Sequence, residues 1–209
     1  MVDEETRRKL RELGMGEMVE ALDLQESDGI SMAVAFDDRI WMMVDYAYEA
    51  KYISSVKRLA ARAKLRFPDA EMGEMIYDGR KIDGVLICEA GTCQFVASAA
   101  NGVIEGLTGA DKSYLACCIA KQACKMRRST RYVHLPDLQM ERDELAATER
   151  SNAKILRKYA HYELLVVDEW LTEGVDDKDI SLLFEPIERR YAAESTMPCT
   201  QYTPAEWHG

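Results

Sequence analysis

The sequence predicts an α/β protein in which a core with a parallel sheet follows a small all-helical N-terminal domain. Three observations support this prediction. Apolar residues recur at helical spacing over residues 3–65, strand-like and helix-like segments alternate after residue 80, and residues 106–113 resemble a phosphate-binding loop. We therefore expect a helical domain over residues 1–80 and a nucleotide-binding core over residues 81–209.

The N-terminal part of the chain has the apolar periodicity of helices. Residues 3–26 are interpreted as two short helices separated at Gly14, and residues 31–65 as one long helix or two in succession. Because a proline disfavours helical geometry in the residue before it, Phe67-Pro68 is expected to end this stretch.

Strands alternate with helices in the remainder of the chain. The predicted strands are residues 103–105, 130–134, 163–167 and 196–200, and the predicted helices are residues 113–126, 136–160 and 179–191. This alternation is typical of a parallel sheet. The last strand contains Pro198 and is expected to tolerate an edge position.

Residues 106–113 follow the phosphate-loop pattern G-x-x-x-x-G-K-[ST] with one departure. In this pattern backbone N–H groups surround a phosphate, the lysine reaches phosphate oxygens and the hydroxyl binds Mg²⁺. Asp111 stands where the pattern has glycine, so a carboxylate lies beside the expected polyanion. The sequence therefore predicts an ATP and Mg²⁺ site of lowered affinity. Its candidate nucleotide-binding residues are Gly106, Leu107, Thr108, Gly109, Ala110, Asp111, Lys112 and Ser113.

Polar residues follow two of the predicted strands. Asp168 and Glu169 come after the apolar residues 164–167, and α/β sheets bind their ligands at the carboxyl ends of strands. Asp168 is predicted to hold Mg²⁺ together with Ser113, and Glu169 to orient and polarise the attacking water. Thr200 is a candidate sensor of the γ-phosphate, and the alternative is an ordinary polar strand end.

Several exclusions follow from composition. No apolar run approaches the roughly 20 residues that span a bilayer, and no apolar signal-peptide core follows the charged N-terminus. We therefore expect a cytoplasmic protein without membrane contact. The six cysteines form no C-x-x-C pair and the three histidines lie far apart, which argues against zinc.

Short segments along the whole chain resemble IstB, the AAA+ ATPase family that assists insertion-sequence transposition. These segments are residues 6–22, 65–69, 106–116, 135–138, 168–171, 188–191, 200–202 and 207–208. IstB-like proteins are similar in turn to DnaC-type helicase loaders. The resemblance implies a helical domain and a P-loop AAA+ core, which binds ATP and DNA, forms homo-oligomers with ATP and delivers a transposase.

The same resemblance implies a strand order in the sheet and an expectation about the C-terminal end of the core. The 196–200 strand is expected beside the 103–105 and 164–167 strands, which are central, and the 130–134 strand is not expected between those two. Family members continue past Trp207-His208 into a strand, a trans-acting arginine and further helices, so the AAA+ core is expected to be C-terminally truncated and ATP hydrolysis to be doubtful. Arg189 and Arg190 are candidates for that arginine by residue type.

One segment is strongly basic although the chain has a net charge of −10. Residues 51–66 contain six basic residues and no acid. Lys57, Arg58, Arg62 and Lys64 are candidates for contacts with DNA phosphates or an acidic transposase surface. The alternative is the solvated face of a helix that packs its apolar side inward. Two other functions stay open, a nucleotide-independent interaction module and a DnaC-like loader of the replicative helicase.

Overall fold

A computed structural model of the chain describes residues 2–29, 33–75, 83–107, 109, 111–146, 157–170 and 187–202. The chain divides into two compact units, Met1–Lys57 and Arg58–Gly209. The functional boundary near residue 80 stays a prediction.

The first unit contains the two short helices that the sequence predicts. Helix α1 covers Glu4–Glu12 and helix α2 covers Gly16–Ser27. Gly14 lies between them with φ +70°, a left-handed conformation that suits glycine. Buried Arg7 of α1 forms ion pairs with Asp23 and Glu26 of α2, and these contacts hold the two helices together.

Helix α3 is long and ends earlier than the proline suggests. It covers Phe36–Ala63, and Lys64 follows with φ +52°. The left-handed backbone at Lys64 ends the helix before Phe67-Pro68 is reached.

The second unit is built on a four-stranded parallel sheet. Its strands are β1 (Ile104–Glu105), β2 (Thr130–His134), β3 (Leu164–Asp168) and β4 (Ser195–Thr200), in the order β1-β4-β3-β2. Strand β4 lies between β1 and β3, and β2 lies outside β3. This is the strand order that the family resemblance implies. Strand β1 is at the edge of the described sheet and not central as expected.

The Pro198 strand lies inside the sheet, next to the two strands beside which it was expected. All six residues of β4 are buried between β1 and β3. The carbonyls of Thr196 and Thr200 accept bonds from Gly102 and Gly106 on the β1 side. Because strand residues alternate in direction, the missing N–H of Pro198 also faces β1. Strand β1 is only two residues long, so the missing N–H costs the sheet few hydrogen bonds on that side.

Among the residues that the structure describes, four α-helices with defined bounds accompany the sheet, and two of them were not predicted. Helix α4 covers Gly84–Gly91 and helix α5 covers Gln94–Ala97; Asp83 caps α4 by accepting bonds from the N–H groups of Val85 and Leu86. Helix α6 covers Lys112–Lys125, and helix α7 covers Leu135–Ala146. The rest of the helix predicted to residue 160 lies partly outside the described residues, as does most of the one predicted over 179–191.

Small residues of α6 form the main core against the sheet. Ala116–Ala120, Ala123 and Cys124 are buried and pack on Tyr132, Leu164, Val166 and Met197. Burial raises the pKa of the Cys118 thiol to about 11, so this cysteine is a core residue and not a reactive one. No helix among the described residues is long and apolar enough to cross a membrane.

Candidate nucleotide-binding site

A cleft of about 540 Å³ lies in the second unit where the loop after β1 and the carboxyl ends of β3 and β4 meet. Parallel strands end at the same edge of a sheet, so residues distant in sequence come together there. The cleft brings together seven predicted site residues: Gly109, Asp111, Lys112, Ser113, Asp168, Glu169 and Thr200. Its other lining residues are Arg66, Phe67, Tyr114, Cys199 and Gln201.

The loop after β1 has the left-handed backbone that a phosphate loop needs. Gly109 has φ +80° and Asp111 has φ +54°. The N–H of Gly106 donates to the carbonyl of Thr200 at 3.2 Å, which ties the start of the loop to β4. Thr108 and Ala110, two of the predicted nucleotide-binding residues, lie outside the described residues.

Asp111 occupies a backbone position that favours glycine, and it does so as the N-cap residue of α6. Aspartate tolerates the left-handed region better than most residues, so the loop keeps its shape. The first intrahelical bond runs from Leu115 N–H to the Asp111 carbonyl at 3.0 Å. The N–H groups of the first helical turn therefore remain available for an anion, which is the property that makes a helix N-terminus bind phosphate.

Lys112 is folded onto its own loop. Its Nζ donates to the carbonyl of Leu107 at 2.9 Å, and the Leu107 side chain is exposed. The ammonium group therefore lies beside the loop in which it is predicted to bind phosphate oxygens.

Asp168 is buried at the end of β3 and accepts two hydrogen bonds. Its Oδ2 accepts a bond from the Tyr132 hydroxyl, and its Oδ1 accepts a bond from the Glu169 N–H at 3.0 Å. Burial and the bond to Asp168 raise the pKa of Tyr132, so this phenol stays protonated as a donor. Arg66 supplies positive charge, with its Nη1 at 3.8 Å from Asp168 Oδ2.

Glu169 lies between two cationic or titratable side chains. His134 Nε2 is 3.0 Å from Glu169 Oε2, and Arg66 Nη1 is 4.0 Å from Glu169 Oε1. His134 Nδ1 also lies 3.4 Å from Asp137 Oδ1 at the start of α7. Glu169 has φ +59°, so the chain turns sharply as it leaves β3.

Thr200 is buried at the end of β4, with 1% of its surface exposed. Its hydroxyl accepts a bond from the N–H of Tyr202 at 3.1 Å. This contact orients the Thr200 side chain at the edge of the cleft.

Sequence reasoning did not predict the three side chains that contact the acidic pair, which are Arg66, Tyr132 and His134. Arg66 was counted with the basic segment and not with the nucleotide site. The signal for the other two is the register of β2 on β3, which places Tyr132 opposite Val166 and His134 opposite Asp168. That register cannot be read from the sequence alone.

A larger cavity of about 1090 Å³ adjoins the loop on the side of α4 and α5. It shares Gly106, Leu107, Gly109 and Lys112 with the loop region. Its walls are mostly apolar and include Leu86, Ile87, Phe95, Ile119 and Met197.

The four predicted DNA or partner residues are exposed. Lys57, Arg58 and Arg62 lie on α3, and Lys64 directly follows it. Among the described residues, none of the four has an acidic side chain within ion-pair distance. Other basic residues in the described part of the chain do form such pairs: Lys51 pairs with Glu17, and Arg128 pairs with Glu163.

Arg190 is not available as a trans-acting arginine. It is 1% exposed, and its guanidinium donates to the carbonyls of Tyr159, Ala160 and Ser195 and to the Thr196 hydroxyl. Arg190 therefore connects β4 to the segment before β3. Arg189 is exposed.

The sequence profile of the IstB-like ATP binding protein family matches residues 8–209. The chain belongs to this family. Two relatives support the assignment across species. The ATP-binding protein of insertion sequence IS1162 from Pseudomonas fluorescens is 27% identical over 96% of this chain and 87% of its own length. The insertion sequence ATP-binding protein y4uH from Sinorhizobium fredii is 30% identical over 100% of this chain and 84% of its own length.

Solved structures share the fold of this IstB-like chain. The DnaC helicase loader matches 57% of this chain and 68% of its own chain, with a TM-score of 0.50 and 22% identity. The replication initiator DnaA, bound to AMPPCP and single-stranded DNA, matches 68% of this chain and 44% of its own, with a TM-score of 0.59 and 16% identity.

Proposed function

We propose that this chain is the ATP-binding helper of an insertion sequence, which binds DNA and assists a transposase. One observation carries the nucleotide part of the proposal. A single cleft joins the phosphate loop, the acidic pair after β3 and the threonine at the end of β4. Each of these groups has a distinct part in binding or hydrolysing a nucleoside triphosphate.

The residues of the cleft fit Mg²⁺ and a polyphosphate. The Asp168 carboxylate and the Ser113 hydroxyl are hard oxygen donors of the kind that Mg²⁺ prefers. In this proposal Lys112 binds phosphate oxygens, Glu169 orients the attacking water and Thr200 contacts the terminal phosphate. Bound Mg²⁺ would neutralise charge that develops on the phosphates. The apolar cavity beside the loop is large enough for a nucleobase.

A fluorescent ATP analogue tests this proposal directly. We expect saturable binding that requires Lys112 and is lost in Lys112→Ala. Binding of equal strength by the native chain and Lys112→Ala would contradict the assignment of the loop.

Asp111 favours a second candidate, a nucleotide-independent interaction module. Asp111 lines the same cleft in which the phosphates are expected. This candidate predicts that the chain binds transposase or DNA equally well with and without ATP. The main proposal predicts stronger binding with ATP, accompanied by formation of a homo-oligomer that light scattering would detect.

The exposed basic residues on and after α3 support the DNA part of the proposal. Charged side chains without acidic neighbours can neutralise phosphates and release counterions, which gives affinity without sequence specificity. We expect weak binding to duplex DNA that falls steeply as salt rises, because the net charge of −10 opposes approach.

Charge reversal tests which basic residues are responsible. Arg58→Glu and Arg62→Glu should each weaken DNA binding, measured by fluorescence anisotropy, and reduce the salt slope by about one unit. Arg11→Glu on α1 is the matched control, since it changes the net charge by the same amount elsewhere. If all three variants lose affinity equally, the effect comes from net charge and not from this segment.

The partner distinguishes the proposal from a helicase loader. The tagged chain should retain the transposase of its own insertion sequence in a pull-down with purified proteins. Retention of the replicative helicase in place of the transposase would favour the loader.

A further inference from the structure

Arg66 lies beside the acidic pair of the cleft, where the phosphate-loop pattern predicts no cation. Its Nη1 is 3.8 Å from Asp168 Oδ2 and 4.0 Å from Glu169 Oε1. Among the residues that the structure describes, Arg66 has the one basic side chain within ion-pair distance of Asp168. Both distances exceed those of direct hydrogen bonds, so the contact is an ion pair of longer range.

The residues on both sides of Arg66 are packed within the second unit, whereas the Arg66 side chain is half exposed. Leu65 on one side is buried, and the Phe67 ring on the other side contacts the Tyr114 ring of α6 with centroids 5.9 Å apart. The Arg66 side chain itself is 50% exposed. Its guanidinium also lies over the Phe67 ring, 5.7 Å from the centroid. The Arg66 side chain therefore borders solvent, although the residues on both sides of it are packed.

Asp168 needs a compensating positive charge. Its side chain is 2% exposed, and a buried carboxylate is costly unless it is paired. Tyr132 and the Glu169 N–H supply hydrogen bonds but no full charge. A divalent cation on the same carboxylate would repel a guanidinium at this distance, so binding of the cation opposes the present position of Arg66.

We infer that Arg66 is a positioning residue that compensates the negative charge of Asp168 and Glu169 before a divalent cation binds. It moves away from both carboxylates when Mg²⁺ and nucleotide bind, so the inference rests on the proposed nucleotide function. In this inference the ion pair between Arg66 and the carboxylates breaks when Mg²⁺ binds. Its loss offsets part of the free energy gained from Mg²⁺ binding. The guanidinium also reduces the repulsion between the carboxylates and a nucleotide that arrives without Mg²⁺. Both effects make nucleotide binding less dependent on Mg²⁺.

The test is the ratio of affinity for a fluorescent ATP analogue in saturating Mg²⁺ to that in EDTA. It is measured for the native chain, Arg66→Ala and Arg66→Lys, each also in the Asp111→Gly background. We expect the ratio to rise at least fivefold in Arg66→Ala, while Arg66→Lys stays near the native value. Arg11→Ala, an exposed arginine of α1, is the control that should leave the ratio unchanged.

A purely structural role predicts a different result. In that case Arg66→Ala would lower the melting temperature in EDTA but leave the Mg²⁺ ratio at the native value, and the inference would be overturned. Our inference predicts a lower melting temperature in EDTA that Mg²⁺ and nucleotide restore. Arg66→Gln removes the charge but keeps a polar side chain, and it carries the same expectation if Arg66→Ala does not fold.

Failure of the proposed function gives a separate result. If no chain binds the ATP analogue, including those with Asp111→Gly, the nucleotide proposal is wrong. Mn²⁺ alone then decides the role of Arg66, through the electron paramagnetic resonance signal of the free ion. Several-fold tighter Mn²⁺ binding by Arg66→Ala supports charge compensation, and equal binding refutes it.

Discussion

Replacing Asp111 by glycine should strengthen binding of Mg-ATP. Asp111 lies in the phosphate loop with φ +54°, so its backbone already has the shape that glycine would provide. The loop therefore differs from a standard phosphate loop mainly by the Cβ and the negative charge of this side chain. Removing the charge removes a repulsion between the carboxylate and the nucleotide phosphates.

The exposure of Asp111 determines how large the gain should be. Two unit charges about 4 Å apart repel by about 4 kcal/mol at an effective dielectric constant of 20 and by about 1 kcal/mol in bulk water. Asp111 is exposed, so solvent screens it and the upper figure does not apply. A value of about 2 kcal/mol corresponds to roughly thirtyfold in affinity. We therefore expect a gain between tenfold and a hundredfold.

Two further variants separate the causes. Asparagine also tolerates left-handed backbone, so Asp111→Asn removes the charge and keeps the Cβ. If charge is the cause, the Asn and Gly variants gain similar affinity; if the Cβ blocks the phosphate, only the Gly variant gains. Lys112→Ala should abolish the gain in either background. Titration with a fluorescent ATP analogue measures each of these chains, and equally tight binding by the native chain and Asp111→Gly would refute the reasoning.

Periodicity and spacing were sufficient to predict the parts of the fold that follow one local pattern. Residues 130–134 form a strand with the predicted bounds, and α6 begins one residue before the predicted helix. Apolar runs also placed Asp168 at the end of a buried strand. Because parallel strands share a carboxyl edge, the meeting of Lys112, Asp168 and Thr200 in one cleft could be expected from the sequence.

Features that depend on tertiary contacts could not be predicted in this way. Pro198 lies in an interior strand, since its missing N–H faces the two-residue ladder of β1. Arg66 looked like one member of a basic run, because nothing local to it shows that the chain after α3 passes beside β3. Helices α4 and α5 are short, with eight and four residues, and they give too little periodicity to distinguish them from a connector.

Two further predictions concern the stability of the second unit. Arg190→Met should lower the free energy of unfolding by at least about 3 kcal/mol, because it leaves several buried carbonyls without donors; urea denaturation measures this, and a loss no larger than that of the exposed Arg189→Met would contradict it. Glu71 provides a test by pH. Hydrogen bonds from Lys125 and Lys121 hold the pKa of Glu71 below its usual 4.5. A carboxylate with a lowered folded-state pKa stabilises the fold above its unfolded-state pKa and loses that contribution as pH falls through the folded-state value. The native chain should therefore exceed Glu71→Gln in unfolding free energy by a constant amount of less than about 1 kcal/mol above roughly pH 5.5, since the pair is partly exposed. The difference should shrink below pH 4.5. A difference that stays constant to pH 3, or grows with acid, would show that Glu71 acts through packing and not through its charge.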